Sequence, residues 1–146
     1  MIKMETKSRY KYIHCDVWKC GVSVFIGNNT DLLKWAKKFY REPEEQDMIQ
    51  SIEQYGSDTD YKAKRVAGRI YDSVSGQWII HIPNFSFDYD PVAISNLSHE
   101  LEHATYGILD FVGMQYRYGG NNEAYTYLHE FLLKNALREK GYKEVR

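Results

Sequence analysis

The chain has 146 residues, of which 43% are hydrophobic and 15% aromatic, and its formal net charge is −1. This length and composition are typical of one globular domain over residues 1–146 and exclude an intrinsically disordered chain. The near-neutral charge gives no reason to expect nucleic acid or a membrane as a partner. We find no signal peptide and no bilayer-spanning run in the sequence, and we therefore expect a cytoplasmic protein.

The first part of the chain predicts a β-hairpin and two helices. Apolar and polar residues alternate in the runs 12–18 and 22–26, on either side of a turn. Apolar residues at helical spacing over 32–40 predict the first helix. Pro43, with two glutamates after it, is typical of the first turn of a second helix, which we expect to end near residue 52.

Two cysteines, Cys15 and Cys20, lie in the predicted hairpin. In a chain without a signal peptide we expect reduced thiols, and we interpret both as structural. A disulfide across the hairpin and a share in a metal site are the alternatives.

A polar loop is predicted over 54–62, followed by strands at 66–72 and Gln77–Ile82. We expect the strand Gln77–Ile82 to lie at an exposed edge of the sheet. The basic side chains in and around the first of these strands are interpreted as a solvated face, with phosphate binding as the alternative. They are Lys62, Lys64, Arg65 and Arg69.

Two helices are predicted in the last third of the chain. Asp90 as N-cap and Pro91 as the first helical residue begin a helix that ends near residue 112, with Gly113 as its C-cap. A glycine-rich reversal then leads to a last helix over about 123–140.

A short motif in the middle of the first of these helices indicates metal chemistry. His99 and His103 are four residues apart, so both imidazoles project from one face of a helix, about 6 Å apart along its axis. Two such imidazoles can bind one tetrahedral zinc ion. Glu100 follows the first histidine and lies beside the metal, where it can deprotonate a zinc-activated water.

A catalytic zinc ion needs a third protein ligand, for which Glu123 is the candidate. It begins a helix that can return antiparallel to the motif helix, and a carboxylate is favoured near a helix N-terminus. An ordinary acidic residue of a first helical turn is the alternative. His81, on the preceding strand, is another candidate ligand, although strand histidines more often pack in the core.

The sequence His99-Glu100-x-x-His103, with Glu123 in Asn122-Glu123-Ala124-x-x-Tyr127, resembles the gluzincin branch of the zincin-like metallopeptidases. It is similar to small predicted zincins of bacteriophages and bacterial mobile elements, over about residues 77–132. The resemblance implies that His99, His103 and Glu123 bind Zn²⁺ and that Glu100 is the general base. It also implies an α+β, zincin-like fold: a small, mostly antiparallel sheet of about four strands against the motif helix and a C-terminal helix.

Further side chains are candidates for supporting roles. Larger gluzincins use a separate helical domain to stabilise the oxyanion, and this chain is too short for one. We therefore expect a local tyrosine in that role, and Tyr116 and Tyr118, between the two site helices, are the candidates. Tyr127 can orient the Glu123 carboxylate, and Asp110 can fix a histidine tautomer or be solvated.

These observations predict a zinc-dependent metallopeptidase. The substrate would be a peptide or protein segment in extended conformation along Gln77–Ile82. The alternative is a non-catalytic zincin-like metal-binding or accessory module of a phage or mobile element, and hydrolysis of a non-peptide bond is a third hypothesis. The sequence predicts no oligomeric state.

Overall fold

The computed structural model describes residues 7–56 and 68–145. Residues 57–62 of the predicted loop, and the first two residues of the strand predicted at 66–72, lie outside this part of the chain. The described residues form an α+β arrangement of one sheet and four α-helices.

Most predicted elements are present, with shifted ends. The strands are β1 (Arg9–Cys15), β2 (Cys20–Ile26), β3 (Arg69–Asp72), β4 (Gln77–Ile82) and β5 (Lys143–Glu144). The helices are α1 (Asn29–Phe39), α2 (Gln46–Gly56), α3 (Pro91–Phe111) and α4 (Asn122–Leu137), and a 3₁₀ turn (Pro43–Glu45) precedes α2. The start of the predicted loop, residues 54–56, is the last turn of α2, and β5 was not predicted.

The sheet is mixed and has five strands in the described part of the chain, in the order β3-β4-β2-β1-β5. β4 pairs with β2 in parallel, while the other three pairs are antiparallel. The prediction of a mostly antiparallel sheet of about four strands is therefore wrong. Between β2 and β4 the chain passes through α1, α2 and the edge strand β3. Parallel neighbouring strands need such a crossover connection.

The strand Gln77–Ile82, β4, is not an edge strand, so this prediction is also wrong. It pairs with β2 along its whole length and with β3 from Trp78 to His81. Because both sides of its backbone are bonded within the sheet, a peptide cannot add to it. Among the described residues the edge strand on this side is β3.

Each face of the sheet carries its own hydrophobic cluster. The cluster under α3 and α4 includes Trp78, Ile80 and Ile82 of β4. The cluster under α1 and α2 includes Ile79 of β4, as the alternation of side chains along a strand requires. No helix in the described residues is both long and apolar enough to cross a membrane.

His81 lies on the α1 and α2 side of the sheet. It is fully buried, with its Nε2 2.6 Å from the carbonyl oxygen of Gly27 and its ring 5.9 Å from that of Phe25. Burial lowers the pKa of His81 to about 4, although the bond to Gly27 opposes this shift. Because α3 covers the other face, His81 is not positioned to share a metal with the motif histidines.

The two cysteines face each other at the end of the β1–β2 hairpin. Both are buried free thiols, and burial raises the pKa of Cys15 to about 12. Their side chains belong to the cluster under α3 and α4. The described structure therefore uses them as small core residues.

α3 is fixed at both ends as the sequence predicts. The Asp90 side chain accepts a hydrogen bond from the Val92 N–H at 2.7 Å. At the other end Gly113 has φ +84°, and the Met114 N–H donates to the Leu109 carbonyl at 2.8 Å. This is the left-handed glycine ending that closes many helices.

The C-terminal part of α3 approaches the sheet very closely. A Cβ placed on Gly107 would lie 2.8 Å from Nε1 of Trp78, so only glycine leaves room for the indole. The motif histidines precede this contact by one and two turns. Gly107 therefore sets the distance between the motif helix and β4.

α4 is fixed to the sheet by a lysine on β1. The Lys11 ammonium donates to the carbonyl oxygens of Asn135, Arg138 and Lys140 at 2.7, 3.0 and 2.9 Å. These carbonyls lie at the C-terminal end of α4, where a cation is favoured.

Candidate metal centre

His99 and His103 lie on the exposed face of α3, one turn apart. Their Nε2 atoms are 3.2 Å apart and their ring centroids 4.8 Å apart. Two nitrogens bound to one tetrahedral zinc at about 2.0–2.1 Å would be separated by roughly 3.3 Å. The same distance also allows an N–H···N hydrogen bond between the two rings. The two nitrogens are therefore held at a separation that suits chelation.

Glu100 lies next to this pair but faces the start of β3. Its side chain is half-buried, and a Cβ placed on Gly68 would lie 3.0 Å from its Cγ. Burial raises the pKa of Glu100, and the nearby charges of His99, His103 and Arg69 oppose this shift. A carboxylate with a raised pKa, close to both imidazoles, is suited to accept a proton.

Glu100 and His103 line a small cleft of about 280 Å³ at the edge of the sheet. The other described residues that line it are Tyr55, Arg69 and Ile70. The Arg69 guanidinium carbon lies 4.5 Å from the centre of the Tyr55 ring, a cation–π distance. The cleft thus combines a carboxylate, an imidazole and a guanidinium.

The structure does not bring Glu123 to the histidine pair. Within residues 7–56 and 68–145 no three His, Cys, Asp or Glu side chains are grouped closely enough to hold one metal ion. Glu123 is exposed in the first turn of α4, whereas Tyr125 faces α3, with its ring 4.9 Å from that of Tyr106. Two residues correspond to about 200° around a helix, so Glu123 points away from α3.

The tyrosines expected near the metal lie elsewhere. Tyr116 packs against Tyr106 and Tyr125, at centroid distances of 6.0 and 5.0 Å. Tyr106 lies about one helical turn after His103. Tyr118 is 92% exposed and Tyr127 is 65% exposed. In the described part of the chain no ring contact or hydrogen bond joins Tyr116 or Tyr118 to the histidine pair, or Tyr127 to Glu123.

Asp110 is also separated from the histidines. It lies seven residues after His103, which is about 10 Å along the helix axis. Its charge acts instead on Tyr125, whose pKa is raised by burial first and then by Tyr106 and Asp110. The described residues contain no hydrogen bond between Asp110 and either motif imidazole.

Two contacts near the site were not predicted from the sequence. Arg69, interpreted as part of a solvated face, is half-buried and lines the cleft. His129 of α4 has its Nε2 3.1 Å from the carbonyl oxygen of Ser98 and 3.2 Å from its Oγ. Because Ser98 precedes His99, this contact ties α4 to the motif helix beside the first histidine. Neither contact has a local sequence signal, since both join residues distant in the chain.

Comparison of the chain with protein-family models, with curated proteins and with solved structures found no match. The motif and the geometry of its side chains are therefore the basis of the proposed function.

Proposed function

We propose that the protein is a zinc-dependent metallopeptidase in which His99 and His103 bind the metal and Glu100 is the general base. The observation that carries this proposal is the 3.2 Å separation of the two Nε2 atoms on the exposed face of α3, next to a half-buried carboxylate. The donor chemistry fits zinc, which is commonly bound by imidazole nitrogens.

Bound zinc would supply a Lewis acid that polarises a carbonyl and lowers the pKa of water to about 7. The protein supplies the proton acceptor. The carboxylate of Glu100 would take a proton from the attacking water and deliver it to the leaving amine. Its burial raises its pKa and makes it a stronger base than a fully solvated glutamate. The open cleft gives a substrate access to this carboxylate.

Glu123 remains the proposed third ligand, on the basis of the motif. To reach the metal, the first turn of α4 would have to rotate. The side chain of its N-cap residue, Asn121, makes no capping bond to the helix and instead accepts from the Arg117 N–H at 2.7 Å. The same side chain also donates to the Gln115 carbonyl, so Asn121 ties the start of α4 to the preceding loop.

We place the substrate along β3 instead of β4. The Ser73 N–H donates to the Gln77 carbonyl at 2.9 Å, and ladder bonds alternate along an antiparallel pair. The backbone groups of Ile70 and Asp72 therefore point away from β4. An extended peptide that paired with them would pass along the cleft that contains Glu100.

The test replaces the proposed base and keeps the proposed ligands. Glu100→Gln should retain about one zinc ion per chain, measured by elemental analysis. It should lose about 10²–10⁴-fold in peptide cleavage, because the general base is gone. Glu102→Gln is the matched control, since this exposed glutamate lies on the same helix, and it should cleave like the wild type. Wild-type protein without zinc, or full activity in Glu100→Gln, would refute the proposal.

A non-catalytic metal-binding module is the second candidate. The observation that fits it is that the described residues bring together the two imidazoles without a third protein ligand, whereas a catalytic zinc ion needs three. It predicts that the wild type binds zinc and cleaves no peptide. In that case Glu123→Gln should leave zinc affinity unchanged, whereas in the enzyme it should weaken it.

A further inference from the structure

We propose that Arg69 binds a carboxylate of the substrate and makes the cleft selective for acidic peptides. This inference rests on the proposed function, which identifies the substrate as a peptide. The chemistry recognised is a carboxylate, either on an acidic side chain or at a peptide C-terminus.

The position of Arg69 carries the inference. Arg69 and Tyr71 project to the α2 face of β3, because Tyr71 belongs to the cluster under α1 and α2. Ile70 projects to the opposite face, where it packs against the cluster under α3. The two faces meet at the edge of β3, and there Arg69 shares a cleft with Glu100 and His103. A peptide paired with β3 would pass between Arg69 and Glu100.

The side chain of Arg69 is also held in place before any ligand binds. Its guanidinium carbon lies 4.5 Å from the centre of the Tyr55 ring. Stacking on an aromatic ring orients the planar guanidinium and reduces the entropy lost on binding. A guanidinium carries five N–H donors, so it can bind a carboxylate through two of them while it keeps other partners.

The carboxylate of Glu100 and the guanidinium of Arg69 give the described cleft residues opposite charges at its two sides. Arg69 lies close enough to Glu100 for its charge to act on that carboxylate. A substrate carboxylate beside Glu100 would be repelled, whereas one on the Arg69 side would be attracted. Arg69 therefore determines which way a charged peptide is oriented, with its carboxylate away from the proposed base.

The experiment measures binding and needs no turnover. Six-residue peptides of alanine and threonine, acetylated and amidated, carry either Glu or Gln at one position, scanned along the peptide. A second pair compares a free C-terminus with an amidated one. Binding to the Glu100→Gln protein is measured by calorimetry, with zinc and with a chelator. We expect about tenfold tighter binding of the carboxylate peptide in one of the two pairs, which identifies its source.

The variants decide whether Arg69 is responsible. In the Glu100→Gln protein, the further substitution Arg69→Gln should abolish the preference for the carboxylate peptide. Arg69→Lys should keep part of this preference, because a lysine retains the charge and loses the bidentate geometry. Arg41→Gln changes the net charge equally at an exposed position and should leave the preference intact. If Arg69→Gln does not fold, as judged by circular dichroism, a reduced preference in Arg69→Lys supports the inference and an unchanged one overturns it.

Equal binding of acid and amide peptides, or no binding of either, overturns the inference. A preference that survives in folded Arg69→Gln also overturns it, because the carboxylate then binds elsewhere, for example to the metal. A preference that needs Arg69 in a protein that cleaves nothing supports this inference and contradicts only the proposed peptidase activity.

Discussion

The chain uses histidine in two opposite environments, and the environment decides what each can do. His81 is buried between β4 and the helices α1 and α2, where desolvation keeps its ring neutral. His99 and His103 are exposed on α3, where both Nε2 atoms are accessible to a cation. Burial therefore makes the first histidine a structural residue, and exposure leaves the other two available as ligands.

The lowered pKa of His81 predicts a loss of stability in mild acid. Between pH 6.5 and about 4 the unfolded chain binds a proton at this residue and the folded chain does not, so the free energy of unfolding falls as the pH falls. Above pH 6.5 the contribution is complete. The loss is on the order of 3 kcal/mol over this range. Urea unfolding at a series of pH values should show a shallower dependence in His81→Gln.

The exposed His14 provides the control for this measurement. His14→Gln should keep a pH dependence close to that of the wild type, because His14 pairs with Asp16 at the surface and an exposed ion pair contributes little to stability. The same slope in wild type and His81→Gln would show that His81 is not the buried neutral group described here.

At the scale of elements, the position of α3 depends on one residue without a side chain. Asp90, Pro91 and Gly113 determine where the helix begins and ends. Gly107 determines how near it lies to β4, because Trp78 occupies the space that a Cβ would need. Trp78 is itself buried and cannot move into solvent. Gly107, which lies outside the motif, therefore sets the distance between the motif and the sheet.

Gly107→Ala tests this packing. Alanine favours a helix over glycine by about 1 kcal/mol, but the contact with the indole is too close and should cost about 1–3 kcal/mol. We expect a net loss of stability in chemical denaturation, with weaker zinc binding because α3 is displaced.

A double-mutant cycle gives the control for Gly107→Ala. In a Trp78→Phe background the smaller ring leaves room for the methyl group, so the same substitution should cost less. An equal cost in both backgrounds would mean that the indole does not limit the approach of α3.

At the scale of the whole molecule, the hydrophobic core lies apart from the proposed metal site. A hydrophobic cluster on each face of the sheet supports the fold, and the motif histidines lie outside both. Zinc fingers differ, since their small cores need the metal to fold. Here the metal would bind to a domain that is already folded.

We therefore expect excess chelator to leave the chain folded and zinc to raise its Tm. Zinc at about 100 times its Kd stabilises a folded protein by about 2.7 kcal/mol, which is roughly 5–10 °C for a domain of this size. Scanning calorimetry of wild type and His103→Ala measures the effect, and the variant should show no shift. Unfolding of the wild type by chelator would indicate a structural metal instead.

At the same scale, the prediction that Gln77–Ile82 is an edge strand was wrong. The apolar alternation in Gln77–Ile82 correctly predicts a strand, but the identity of its neighbours depends on where α1 and α2 return the chain. Hydrophobic periodicity records which face of a strand is buried and carries no information about which strand lies beside it. We therefore propose β3, and not β4, as the strand that pairs with the substrate.

The sequence by itself determined the features that arise from neighbouring residues. The caps of α3 and the placement of His99 and His103 on one helical face follow from local spacing, because hydrogen bonds between residues close in the chain fix a helix and its ends. The alternation of apolar residues likewise predicts the strand β4. Tertiary structure alone decided the order of the strands, the burial of His81, the cleft shared by Arg69 and Glu100, and the outward direction of Glu123. These depend on contacts between residues far apart in the chain, which are set by how the helices pack on the sheet.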